Sequence, residues 1–97
     1  MPSTTILAVG TAAATSTDVS IAANGNAIFS SFVATGGIPS AVVMAIYMAT
    51  PGAEVFVERF SGQPITVTNP TTTAVIYRVK RPDIAAHGVS VGVVAIT

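Results

Sequence analysis

Hydrophobic and polar residues alternate along much of the chain with the two-residue period of a half-buried β-strand. In the segment 73–80, Val75, Tyr77 and Val79 fall on one face, and Arg78 and Lys80 fall on the other. Val, Ile and Thr are abundant, which favours strands, and no stretch shows a clean helical stripe. The pattern predicts about eight strands, in chain order 4–9, 12–22, 27–34, 41–50, 54–60, 65–68, 73–80 and 89–96.

Turn residues separate these segments. Asn24-Gly25 predicts a hairpin between the second and third strands, because both residues can adopt positive φ. The run 36–39 breaks the chain, and Pro51-Gly52 predicts a turn before the fifth strand. The fourth strand is apolar on both faces, so we expect the core on one side and a partner or loop on the other, with a buried helix as the alternative.

Short strands joined by Gly and Pro turns are typical of all-β sandwiches and barrels. We therefore predict one domain over residues 1–97, an antiparallel β-sandwich of the jelly-roll or immunoglobulin-like type.

The composition bears on what such a domain contacts. The chain is 51% hydrophobic and 8% charged, with four acidic and four basic residues and zero net charge. An ordinary soluble domain is about 25% charged. This composition argues against disorder and against nucleic acid as a partner, because there is no basic excess to neutralise phosphates. A small neutral surface tends to self-associate, so we expect a homo-oligomer.

The charges are also unevenly placed. Seven of the eight lie within 54–83, and only Asp18 lies elsewhere. The sequence thus predicts a polar stripe between two neutral surfaces, and partners are expected on the neutral surfaces.

Two further features concern location. The N-terminal segment lacks the basic region of a secretory signal, and the dense apolar run 41–49 is far shorter than the ~20 residues of a membrane helix. We expect neither a signal peptide nor a membrane partner. The absence of cysteine excludes a disulfide framework and leaves the redox compartment open.

The titratable residues give no credible reaction centre. Glu54 and Glu58, on one face of a strand, would lie ~13 Å apart, beyond the roughly 5–9.5 Å of glycosidase carboxylates. Asp83 and His87 share one predicted loop, and no nucleophile elbow accompanies them. One His, no Cys and four scattered carboxylates supply no metal ligand set. We therefore expect no catalytic, cofactor-binding or metal-binding residue, and no enzyme.

The basic cluster in 78–81 is the most distinctive feature. Arg78, Lys80 and Arg81 either keep an outer strand soluble or form a docking patch for an acidic partner surface. Phe56 and Phe60 share a face with Glu54 and Glu58 under strict alternation, which suits either interface anchors or residues beneath a covering loop. The candidate partner-docking residues are therefore Arg78, Lys80, Arg81, Phe56 and Phe60.

Three segments, GGIPSAVVMAIYMATPGAE, AVIYRVKRPD and HGVSVGVVAIT, resemble small all-β accessory structural proteins of tailed bacteriophage virions. The resemblance spans most of the chain and rests on the cadence of strands and turns. It implies a capsid decoration (cement) protein that binds the major capsid protein on the virion surface, after assembly in the host cytoplasm. A receptor- or glycan-binding module of a head or tail fibre is the alternative. By analogy with capsid symmetry, a trimer is favoured over a dimer.

Overall fold

A computed structural model describes residues 3–35, 43–49 and 53–97 of the chain. Within these ranges, nine strands form two antiparallel sheets, which confirms the predicted all-β sandwich. The strands are β1 (Ser3–Gly10), β2 (Ala14–Thr15), β3 (Val19–Ile21), β4 (Asn26–Thr35), β5 (Met44–Met48), β6 (Val55–Phe60), β7 (Ile65–Thr68), β8 (Val75–Arg81) and β9 (Ser90–Ile96).

The order of the strands selects the jelly roll from the two predicted topologies. The first sheet has the order β1-β9-β4-β7, and the second has the order β2-β8-β5-β6, with β3 also paired to β8. The antiparallel pairs are therefore nested along the chain, from β1·β9 outermost, through β2/β3·β8 and β4·β7, to β5·β6 innermost. This nesting is a long hairpin rolled into two facing sheets, the jelly-roll arrangement. In an immunoglobulin-like sandwich the first strand would instead pair with the second.

The predicted second strand is interrupted at Ser16. The backbone N–H of Ser16 donates to the carbonyl of Val79, at 2.8 Å, and the N–H of Val79 donates to the Ser16 hydroxyl, at 2.9 Å. A side-chain oxygen thus takes the place of a ladder carbonyl, and β2 and β3 continue along the same edge of β8 on either side of it.

The predicted hairpin at Asn24-Gly25 is wrong, although the turn itself forms. Asn24 has φ of 58°, and the N–H of Gly25 donates to the carbonyl of Ala22 at 2.8 Å. However, β3 belongs to the second sheet and β4 to the first, so the turn carries the chain between layers. Both strands contribute apolar side chains to the core from their own sheets instead of pairing side by side.

The fourth predicted strand, 41–50, is a strand, β5, within the described residues 43–49, and side chains of neighbouring strands cover part of its outer face. Met44 and Ile46 are buried, whereas Ala45 and Tyr47 are half-buried. The ring of Tyr47 lies under the side chains of Phe56 and Lys80, so neighbouring strands provide the cover. The break at 36–39 and the Pro51-Gly52 turn lie outside the described residues.

The core lies between the sheets and is filled by the inward positions of every strand except the short β2, whose Ala14 packs at its margin. Its large side chains at 2% exposure or less are Tyr77, Phe29, Ile21, Met44, Ile46, Ile84, Val75, Val79, Val89, Val91 and Val93. The alternation predicted for 73–80 matches this inner face, because Val75, Tyr77 and Val79 are all buried. The sandwich leaves two outer sheet faces, one on each sheet.

Candidate partner-binding surfaces

The two outer faces differ in charge. None of the first-sheet strands β1, β4, β7 and β9 contains a charged residue. The charged side chains lie on the second sheet, on the segments beside it, and at Asp83 in the β8–β9 connection. The charges are thus separated between the two faces of the sandwich. This separation does not follow the distribution along the sequence, because β7, inside the charge-rich segment 54–83, belongs to the uncharged sheet and the charge-free β5 belongs to the other.

The outer face of the first sheet, hereafter the neutral face, has a centre of aliphatic side chains with one hydroxyl group, that of Ser30, and further hydroxyl groups at its margins. One row across all four strands joins Ser3, Ile96, Ile28 and Thr66 in register. The next row joins Thr5, Val94 and Ser30. Ile28, Ser30, Val94 and Ile96 are half-buried, and the threonines at the margins are exposed.

An aromatic ring extends this face. Phe32 is 36% exposed and lies opposite Gly92. A Cβ atom added to Gly92 would lie 2.5 Å from Cζ of Phe32 and 2.8 Å from the carbonyl oxygen of Leu7. The glycine therefore allows the phenyl ring to lie flat across β9, beside the row of Thr5, Val94 and Ser30.

The outer face of the second sheet carries an ion-pair cluster of Asp18, Glu54, Arg78 and Lys80. Nε of Arg78 lies 2.6 Å from Oδ1 of Asp18, and its Nη1 lies 3.4 Å from Oε2 of Glu54. Nζ of Lys80 lies 2.6 Å from Oε1 of Glu54. The Lys80 hydrogen bond, supported by the charges of Lys80 and Arg78, lowers the pKa of Glu54 from its ordinary value of 4.5, while desolvation opposes the shift.

Three of the five predicted docking residues meet on this face. Arg78 and Lys80 belong to the ion-pair cluster, and Phe56 contacts Tyr47 edge-to-face with ring centroids 5.7 Å apart. The guanidinium of Arg59 lies 5.3 Å from the Phe56 ring centroid. Because Arg78 and Lys80 are already paired with two carboxylates, the ion-pair cluster is balanced in charge, and these two residues do not form a free basic patch.

Phe60 lies on the opposite side of the sheet, contrary to the sequence prediction. A β-bulge between the pairs Ile46↔Glu58 and Tyr47↔Phe56 inserts one extra residue into β6. The alternation therefore reverses beyond Val57, and Phe60, opposite Met44, is 6% exposed and part of the core. It is unavailable for docking.

Arg81 is also withdrawn from the surface, at 6% exposure. Its Nε donates to the carbonyl of Ala12 at 2.8 Å, and its Nη1 donates to the carbonyls of Ala8 and Val91 at 2.8 and 2.7 Å. Arg81 is the last residue of β8, and its side chain points inward in phase with Val79. It ties the second sheet to β1 and β9 of the first, so its place is structural and not on a docking surface.

The sequence offered no signal for the acidic partner of Arg78. Val19, the first residue of β3, pairs with Tyr77 of β8. In this antiparallel register Asp18, one residue before Val19, lies beside Arg78, one residue after Tyr77. The two residues are 60 positions apart, and only the strand pairing connects them.

The two remaining acidic residues accept hydrogen bonds from backbone N–H groups close to them in the chain. Oε1 of Glu58 accepts from the backbone N–H of Arg59 at 3.0 Å, and Oδ1 of Asp83 accepts from the N–H of Ala85 at 3.1 Å. The backbone of His87 ends a short 3-10 helix, Ala85–His87, and its side chain lies outside the described set. No group of three or more potential metal ligands occurs among the described residues.

A cleft of about 190 Å³ opens beside β3, between the edges of the two sheets. It combines an aliphatic floor with hydroxyl groups and the carboxylate of Asp18, and no aromatic ring is found among the described residues that line it. The lining residues are Thr4, Ile6, Thr17, Asp18, Val19, Ser20, Ala95 and Thr97. A sugar would find hydrogen-bonding groups here but no platform on which to stack.

In the described ranges, no helix is long and apolar enough to cross a membrane. Comparison with protein-family models, curated proteins and solved structures gave no significant match.

Proposed function

We propose that this chain is a non-enzymatic virion structural protein, a decoration protein that binds and stabilises the major capsid protein lattice of a tailed bacteriophage. The observation that carries the proposal is the separation of charge between the two sheets. Partner attachment is assigned to the neutral face, and the ion-pair cluster is assigned to the side that faces water.

The physical reason concerns desolvation. Covering charged side chains is costly unless each finds a partner, whereas aliphatic groups gain on burial and hydroxyl groups need only one hydrogen bond each. The neutral face carries aliphatic side chains, hydroxyl groups and the apolar ring of Phe32, and no charged side chain, so it can be covered at low cost. Many such contacts, repeated over a lattice, give a firm attachment even if each is weak.

The fold is compatible with this role. Jelly rolls occur in viral capsid proteins and also in lectins and cupins, so the topology alone assigns no function. The ion-pair cluster supports the orientation: exposed ion pairs contribute little to stability, but they keep a sheet face soluble.

A matched pair of variants tests the assignment. Ser30→Lys places a charge at the centre of the neutral face, and Ser20→Lys places the same charge at the exposed middle position of β3, in the second sheet. Capsids lacking the protein would be mixed with each variant and sedimented. We expect Ser30→Lys to abolish co-sedimentation and Ser20→Lys to bind like the wild type. Equal binding by both variants would refute the assignment.

The stabilising role has its own measurement. Capsids with and without bound protein would be heated, and release of the packaged DNA would be followed with a fluorescent dye. We expect release at a higher temperature when the protein is bound. Equal release temperatures would exclude the cement function, even if the protein binds.

The alternative docking surface is the ion-pair cluster on the second sheet, with its basic residues Arg78 and Lys80. Changing Arg78 and Lys80 together to Glu reverses both charges beside Glu54 while leaving the neutral face intact. Under the proposal, this double variant still sediments with capsids. Loss of binding, with a circular dichroism spectrum like that of the wild type, would instead move the docking surface to the ion-pair cluster.

A further inference from the structure

The first half of β6 exposes a run of apolar side chains. Val55, Phe56 and Val57 are 52%, 44% and 38% exposed, and they are consecutive in the chain. Single exposed hydrophobic residues are normal on monomeric proteins, whereas contiguous ones mark interaction sites. The bulge at Val57 contributes to this exposure because it interrupts the alternation that would bury every second residue.

This run lies on an open sheet edge. β6 is the outermost strand of the second sheet, with β5 on one side and no strand of the described chain on the other. The backbone N–H of Arg59 donates to the carboxylate of its neighbour Glu58 at 3.0 Å, so a side chain of the same strand supplies an acceptor for this N–H. Unpaired edges of this kind are templates for pairing with another strand.

We infer that this edge is the contact between two copies of the chain, with their β6 strands antiparallel about a two-fold axis between Val57 and Glu58. Phe56 and Arg59 share one face of β6, as their contact at 5.3 Å shows. In the inferred register, Phe56 of one copy faces Arg59 of the partner subunit. The contact between the Phe56 ring and an Arg59 guanidinium, present within each chain, would thus also form between the two copies, once on each side of the axis.

The charges of the edge suit a second copy. The chain has zero net charge, so two copies do not repel at long range. Glu58 and Arg59 lie side by side, and in this register neither faces its own counterpart, so no like charges oppose each other. On pairing, the N–H of Arg59 passes from the Glu58 carboxylate to the backbone of the partner.

The symmetry decides the oligomer. A two-fold contact between identical patches is closed, so it produces a dimer in place of the trimer favoured by analogy. The inference is independent of the proposed function, because the dimer uses the edge of the second sheet and capsid binding uses the face of the first. Ser30→Lys is accordingly expected to leave the dimer intact.

Sedimentation equilibrium of the purified chain over a range of concentrations tests the dimer. We expect a dimer mass for the wild type and self-association weakened by about tenfold or more in Phe56→Ala, the effect of truncating an aromatic anchor. Phe32→Ala is the matched control, since Phe32 is an exposed phenylalanine (36%) on the other sheet. A monomer at every concentration, or equal association of both variants, would overturn the inference.

Cross-linking tests the register, because the chain has no cysteine of its own. Val57→Cys places a thiol beside the two-fold axis, where two copies come within reach of a disulfide. Val9→Cys is the control, on β1 of the other sheet and with a similar exposure of 40%. Under mild oxidation, we expect a covalent dimer from Val57→Cys alone. Equal yields from the two variants, or none from Val57→Cys, would refute the contact.

Discussion

Replacing Arg81 by Met separates the two roles that this residue could have. As a docking residue, Arg81 would contribute to partner binding and little to stability. As a buried structural residue, Arg81 connects the end of β8 to three other segments by hydrogen bonds to the carbonyls of Ala8, Ala12 and Val91. The change to Met keeps most of the side-chain length and removes all three hydrogen bonds.

The expected loss follows from those bonds. Hydrogen bonds from a charged donor are worth about 1.5–3 kcal/mol each, so three give a gross stabilisation of about 4.5–9 kcal/mol. Burial of the guanidinium offsets several kcal/mol, because no carboxylate of the described residues forms an ion pair with it. We expect a net loss of about 2–4 kcal/mol from the free energy of unfolding. This is a large share of the ~5–15 kcal/mol of an ordinary domain.

Urea unfolding followed by circular dichroism measures this loss. Lys80→Met is the matched control, because it removes a cation from the preceding, half-exposed position of the same strand. Its loss should be about 1 kcal/mol or less, as for other surface ion pairs. If Arg81→Met is no more destabilising than Lys80→Met, the stabilising role inferred for Arg81 is wrong, and Arg81 is again a candidate docking residue.

Three further predictions concern a buried amide and two titrating groups. The side chain of Asn69 is fully buried; it donates to the carbonyls of Ile21, Ala22 and Thr73 and accepts from the N–H of Thr71. Asn69→Ala removes these hydrogen bonds and should lower the free energy of unfolding, measured by urea titration, by about 3–5 kcal/mol. Because the folded-state pKa of Glu54 is lowered below its ordinary 4.5, its ion pairs stabilise the fold above that value and are lost as the pH falls. The difference in unfolding free energy between wild type and Glu54→Gln should therefore vanish in acid; a constant difference would show that the carboxylate charge is not its source. Burial raises the pKa of Tyr77 above its ordinary 10.0. The free energy of unfolding is therefore unaffected by this group below about pH 10 and falls as the pH rises above about 10. Tyr77→Phe should remove this loss of stability at alkaline pH.

The sequence predicted the inner face of the sandwich accurately where strands alternate without interruption. Val75, Tyr77 and Val79 were placed on the core face and are buried. It misplaced Phe60, because a single bulged residue reverses the alternation and leaves no mark in composition. It also proposed Arg81 for docking, although alternation along the strand puts Arg81 on the face opposite Arg78 and Lys80. Three converging carbonyls make the burial of its charge tolerable.

By itself, the sequence determined the all-β class, the positions of most strands and the shortage of charge. These follow from local periodicity, turn chemistry and composition, which need no knowledge of distant contacts. Only the tertiary structure decided which strands pair, and hence the jelly-roll order and the transfer of the chain between layers after Asn24-Gly25. The same pairing joined Asp18 to Arg78. It also put β6 and β8, the two strands that contain charged residues, in the second sheet, so that every strand of the first sheet is free of charge. Strand pairing is a long-range choice made by packing apolar faces together, so the neutral face is a property of the fold.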